Sequence, residues 1–115
     1  MFGNAPWRRS LHSYVTALPN SYVVIRKRGK NWNPSLAMQE QDEWERHASF
    51  MNDLVATGFV ETGGPLGDGQ EILLFVHAES EADIYRRFDE DPWTSMGLLE
   101  IASVKRWRIL LGKGA

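Results

Sequence analysis

His47 falls in a stretch where Trp44, Ala48, Met51, Leu54 and Val55 recur at helical spacing, three residues after Trp44 and four before Met51. Asp91 immediately precedes Pro92, which drives it out of helical geometry at the end of a second apolar-periodic stretch. A carboxylate on one imidazole nitrogen fixes the tautomer and makes the other nitrogen the better base, so a pair of His47 and Asp91 would be able to move a proton. Each residue also has an ordinary role. A lone histidine on an apolar helical stripe is commonly a core or interface residue with one satisfied nitrogen, and Asp-Pro is a common helix stop. Gly63-Gly64-Pro65 at a strand end serves a turn or bulge, yet glycines there also let a ligand approach backbone N–H groups closely. The pocket idea rests on the coincidence of the three pieces, not on any one of them.

Other chemistries are disfavoured. The 115 residues include no cysteine, which removes thiol nucleophiles, thiolate metal sites and iron-sulfur clusters and suits a reducing cytoplasm. His12, His47 and His77 have no short ligand spacing, and no HExxH or EF-hand pattern is present, so no metal is expected. A haem on His47 would compete with its pairing to Asp91, so no cofactor is expected either. A net charge of -2 gives no electrostatic footprint for nucleic acid. Arg26-Lys27-Arg28-Gly29-Lys30 reads as a solvated basic loop with an anionic ligand or RNA as the weaker alternative, and Glu71 to His77 lacks the aromatic pattern of RNA-binding strands. No apolar run approaches the roughly 20 residues of a membrane span. Arg8-Arg9 leads into a mixed polar stretch rather than an export signal. Five tryptophans, at 7, 32, 44, 93 and 107, suit places where a buried wall meets a wetter cleft.

The elements that must position these residues follow from period and punctuation. Tyr22 to Lys27 is β-branched and reads as a strand. Asn33 and Pro34 offer a cap and a first helical position for a helix that then begins and stops at Gly58. Phe59 to Leu66 and Glu71 to His77 form a hairpin about Gly67-Asp68-Gly69. Ser80 caps a helix over Glu81 to Asp89 with Ile84, Tyr85 and Phe88 inward. A turn through Met96-Gly97-Leu98 leads to a last strand, Ile101 to Leu111, with Ile101, Trp107, Ile109 and Leu111 on one face and Arg106 and Arg108 on the other. The result is an α+β, ferredoxin-like βαββαβ arrangement: four antiparallel strands with two helices on one face. The bare sheet face, helped by Ala102, Val104 and Leu110, predicts a homodimer. One domain over residues 21 to 112 lies between an N-terminal extension, 1 to 20, and a tail, 113 to 115.

Glu45-Arg46-His47-Ala48-Ser49-Phe50-Met51, then Gly58-Phe59-Val60 leading to Gly63-Gly64-Pro65-Leu66, then Asp91-Pro92-Trp93 and Val104-Lys105-Arg106-Trp107, resemble the YciI-like (YCII-related) family in order and spacing over residues 21 to 111. The resemblance implies a dimeric α/β barrel of ferredoxin-like subunits, with His47 and Asp91 as the active-site dyad and Gly63, Gly64 and Pro65 lining the cavity. Members are mostly of unassigned activity. One relative dehydrochlorinates a hydroxyquinol-type ring, and the wider superfamily includes muconolactone isomerases and small monooxygenases, so proton transfer on a small cyclic substrate is implied. Two departures stand out. Trp44 occupies the place of a common family arginine, and Gly29 to Met38 is long and holds Trp32, a lid or a packing residue. The expected function is an isomerase or lyase in which His47 moves a proton and Asp91 orients it. Gly63 and Gly64 would offer backbone donors, and Trp93, Trp44 and Trp32 would stack on substrate. The alternative is a noncatalytic dimeric module for a small ligand or a partner protein.

Overall fold

The structure is a computed structural model and describes residues 20–113. The expected N-terminal extension, with Trp7, the Arg8-Arg9 pair and His12, lies outside the described residues except for Asn20, as do the last two positions of the tail.

Four strands, β1 (Asn20–Arg28), β2 (Val60–Leu66), β3 (Glu71–Ala78) and β4 (Leu99–Arg106), form one antiparallel sheet in the order β2-β3-β1-β4. Helices α1 (Trp44–Ala56), α2 (Glu81–Phe88) and α3 (Pro92–Ser95) complete a small α+β fold compatible with the ferredoxin-like arrangement. The core is built on the side of the sheet that receives alternate β1 residues: Tyr22 and Val24, with Leu74 and Val76 of β3, pack against Leu54 of α1 and Ile84 and Phe88 of α2. Among the described residues no helix is long and apolar enough to cross a membrane.

Helix ends follow the local chemistry. Gly58 takes the left-handed conformation (φ 83°) that closes α1, and Ser80 Oγ accepts from the Asp83 N–H to open α2. Asp91 does the same for α3 through the Trp93 N–H, with Pro92 pre-set at the first helical position. That short third helix, which the sequence reading did not include, stands just before the turn expected at Met96-Gly97-Leu98.

The structure corrects five other expectations. Helix α1 begins at Trp44, not after Pro34, because Asn33 Oδ1 accepts from Ser35 N–H and Oγ–H and closes a local turn instead. The Gln41 side chain then ties Asn33 at both its N–H and its C=O, and a 3-10 turn over Met38–Glu40 follows. Tyr85, expected inward, is exposed, and so is Val55, one helical step of 100° beyond the buried Leu54.

Strand β4 ends at Arg106 rather than Leu111, and the Trp107 N–H bond to Ser21 O follows its last paired residue. The register also shifts within β4: Arg26 pairs with Ile101 and Ile25 with Ser103, so Ala102 is the extra residue of a bulge. Ile101 and Val104, expected on opposite faces, therefore both pack on the core. Across the sheet, Pro65, Ile72, Arg26 and Ile101 form one row beneath the helices.

Candidate functional site

Helix α1 presents His47 from its buried face, and the α3 cap presents Asp91 opposite it. His47 Nδ1 lies 2.9 Å from Asp91 Oδ2 and 3.1 Å from Oδ1. His47 is 7% exposed and Asp91 0%, so this contact is shielded from bulk water. An ionised carboxylate only accepts, which puts a proton on Nδ1 and, in the neutral ring, leaves Nε2 as the lone-pair nitrogen. No hydrogen bond engages Nε2 among the described residues.

Trp93 lies parallel to the imidazole, 3.9 Å away at 4°. Its own place is fixed by the Nε1–H donated to Asp42 O at 2.6 Å, and its side chain is fully buried. Trp44 leans on both rings at 5.9 Å, and Trp32 meets Trp93 edge-on at 5.7 Å. Trp32 in turn carries the Arg28 guanidinium on its face at 4.7 Å, so it packs between a cation and the tryptophan plate. Met38, Ile72 and Met96 fill in around this cluster.

Arg26 was the residue that sequence reasoning missed. Instead of ending in a solvated basic loop, its side chain is 1% exposed and its Nη1 donates to Asp91 Oδ2 at 2.9 Å. Nη2 donates to Thr94 Oγ1, and that hydroxyl donates onward to the Phe88 C=O. The guanidinium also sits 4.8 Å over the Phe88 ring. A signal was present: Tyr22, Val24 and Arg26 alternate onto one face of the strand, but the basic run that follows obscured it.

Burial alone would push the Asp91 carboxyl up. The His47 hydrogen bond, the Arg26 charge, the His47 charge and the Trp93 N–H outweigh it, and the group titrates below the ordinary carboxylate range. Burial pulls Arg26 down, and the Asp91 charge and hydrogen bond oppose that pull. Asp91 is thus held as an anion shared between two cationic or potentially cationic groups.

The Gly63-Gly64-Pro65 segment lies within edge strand β2. Gly63 and Pro65 pair with Leu74 and Ile72 on the helix side, while Gly64 pairs with Leu73 on the other face. None of the three hydrogen-bonds to His47 or Asp91. A groove of about 450 Å³ lined by Gly29, Lys30, Tyr85, Phe88, Thr94 and Ile101 among others adjoins the Arg26 end of the network, since Thr94 and Phe88 belong to both; neither His47 nor Asp91 lines it. Among the described residues no group of three or more metal-ligating side chains is assembled.

Comparison with protein-family models, with curated proteins and with solved structures found no match.

Proposed function

We propose that the chain is a small-molecule enzyme of isomerase or lyase type, in which His47 Nε2 takes a proton from an acidic C–H of the substrate. Asp91 would hold the Nδ1–H and stabilise the imidazolium that forms. The observation that carries this reading is the pinning of Nδ1 on a buried carboxylate while no described residue hydrogen-bonds Nε2. Trp93 supports it, since its ring lies parallel to the imidazole and fixes the plane in which Nε2 points. Arg26 supports it by keeping Asp91 ionised where burial would protonate it.

The resemblance to YciI-like proteins extends the proposal to a cytoplasmic, cofactor-free dimeric α/β barrel acting on a small cyclic or aromatic-derived substrate. In that reading, Gly63 and Gly64 offer backbone donors to a developing oxyanion, and Trp44 and Trp32 border the substrate. Two copies would pack through the middle of the bare sheet face, which carries Ile25 and Leu73. A monomer by light scattering at micromolar concentration removes the barrel but not the dyad.

The test is proton exchange and turnover on lactones, cyclic acids and hydroxyquinols in D₂O. Loss of general base catalysis in His47→Ala is expected to lower the rate about 100-fold or more. Equal rates in wild type and His47→Ala end the proposal. One observation favours a second reading, a noncatalytic ligand-binding or interaction module: the groove adjoins Thr94 and Phe88 without being lined by His47. Saturable binding of such compounds with no turnover in wild type would select it.

A further inference from the structure

On the sheet face opposite His47, a second set of three side chains is joined end to end. Ser21 of β1 and His77 of β3 are direct cross-strand partners, with Ser21 Oγ 3.2 Å from His77 Nδ1. The other ring nitrogen, Nε2, lies 2.6 Å from Oε1 of Glu61, which sits at the irregularity in the β2–β3 register. Glu61 accepts the Nε2–H, which leaves Nδ1 as the acceptor for the Ser21 hydroxyl proton. A hydroxyl, a base that can take its proton and a carboxylate that orients the base are the parts of an activated serine nucleophile.

The surroundings suit such a role. The three residues line a groove of about 520 Å³ whose other walls include Phe75, Trp107, Arg106 and Arg108. Phe75 and Trp107 meet at 5.0 Å and form an apolar wall beside the imidazole, which is 4.8 Å from Phe75. Arg108 is exposed and makes no salt bridge among the described residues, so its charge is available to an anion, whereas Arg106 pairs with Tyr22 and projects to the helix side. Ser21 itself is fixed on a rigid element, with its carbonyl accepting from the Trp107 N–H. The groove lies at the end of the sheet where β1 begins, away from Ile25 and Leu73 at the middle of that face.

We propose that Ser21, His77 and Glu61 form a second reactive centre, an acyl-transfer site for small carboxylic esters whose developing oxyanion is met by the guanidinium group of Arg108 in the groove lining. Ser21 Oγ bonds to the ester carbonyl carbon and its proton passes to His77 Nδ1. Collapse breaks the carbon–oxygen bond to the leaving alcohol, which departs with that proton and leaves acyl-Ser21. Water then adds to the acyl group, giving its proton to Nδ1, and Ser21 leaves with the proton as the carboxylic acid is released. Nothing in this scheme depends on His47 or Asp91.

The experiment treats the full chain with a fluorophosphonate, which phosphonylates a nucleophilic serine as the P–F bond breaks and fluoride leaves, and locates the adduct by peptide mass spectrometry. The expected result is one adduct on Ser21. Its rate should fall about 100-fold in His77→Ala and about 10-fold in Glu61→Gln, as loss of a general base and of its orienting partner would require. Glu61 is exposed, so Glu61→Gln keeps the test informative if His77→Ala fails to fold. Incubation with p-nitrophenyl acetate should leave an acetyl group on the same serine. An adduct confined to other residues, or a Ser21 rate unchanged in a folded variant, overturns the proposal.

Discussion

Asp91 accepts from three different groups, Arg26, His47 and the Trp93 N–H, and has no contact with solvent. Its role as helix cap and its role in the dyad therefore cannot be separated by removing it. They can be separated by the neighbours. Arg26→Leu keeps the cap and the histidine but leaves a buried carboxylate short of its main counter-charge, a loss expected to cost about 3 to 5 kcal/mol by urea unfolding. A change under about 1 kcal/mol would show that the pair contributes little beyond its own desolvation. Asp91→Asn tests the other role: ¹⁵N NMR of His47 should find the proton on Nδ1 in wild type, and on both nitrogens in part once an amide able to donate or accept replaces the carboxylate. His47, Asp91 and Trp93 were legible because helical period and a proline mark them. Arg26 was not, because a charged residue in a basic run looks solvated until the strand that follows the same alternation is known to be central.

Among the elements, β2 makes the sharpest contrast. A Cβ on Gly63 would meet the Leu74 side chain and come within 2.8 Å of Leu73 O, while a Cβ on Gly64 would meet nothing within 4 Å. Gly63→Ala should thus force β2 off β3 and cost about 1 to 3 kcal/mol. Gly64→Ala should be neutral or slightly stabilising, by up to about 1 kcal/mol, because it only restricts the unfolded chain. Thermal unfolding of the two variants decides it; equal effects would refute the register. The order of the elements along the chain and the β2–β3 hairpin could be read from period and turns. The start of α1 could not, since the Gln41 bonds that hold the Asn33 loop closed lie eight residues away in sequence. Nor could the bulge at Ala102, because an extra residue inside a strand leaves the apolar composition unchanged and alters only which face each later residue joins.

At the scale of the whole molecule, the sheet separates two polar networks: Arg26, Asp91 and His47 beneath the helices, and Ser21, His77 and Glu61 on the opposite face. Only the first is sealed from solvent, so it is the one whose ionisation is coupled to global folding. The folded-state value of Asp91 lies below its unfolded value, near 3.9. The unfolded chain therefore binds the proton more readily, and the anion's contribution to stability is fully present above the unfolded value and lost as pH falls through the folded one. Arg26 stays charged throughout that window, as guanidinium groups do. Urea unfolding of wild type and Asp91→Asn at matched pH isolates this contribution, because every other carboxylate is common to both. Wild type should be the more stable at pH 7, and the difference should begin to shrink below about pH 4 and go on shrinking past the ordinary carboxylate range, since a protonated Asp91 approaches the neutral amide in shape and charge. A difference that already closes near pH 5 would place Asp91 above its ordinary value, as burial alone would have it, and would show that Arg26 and His47 do not hold the anion in place.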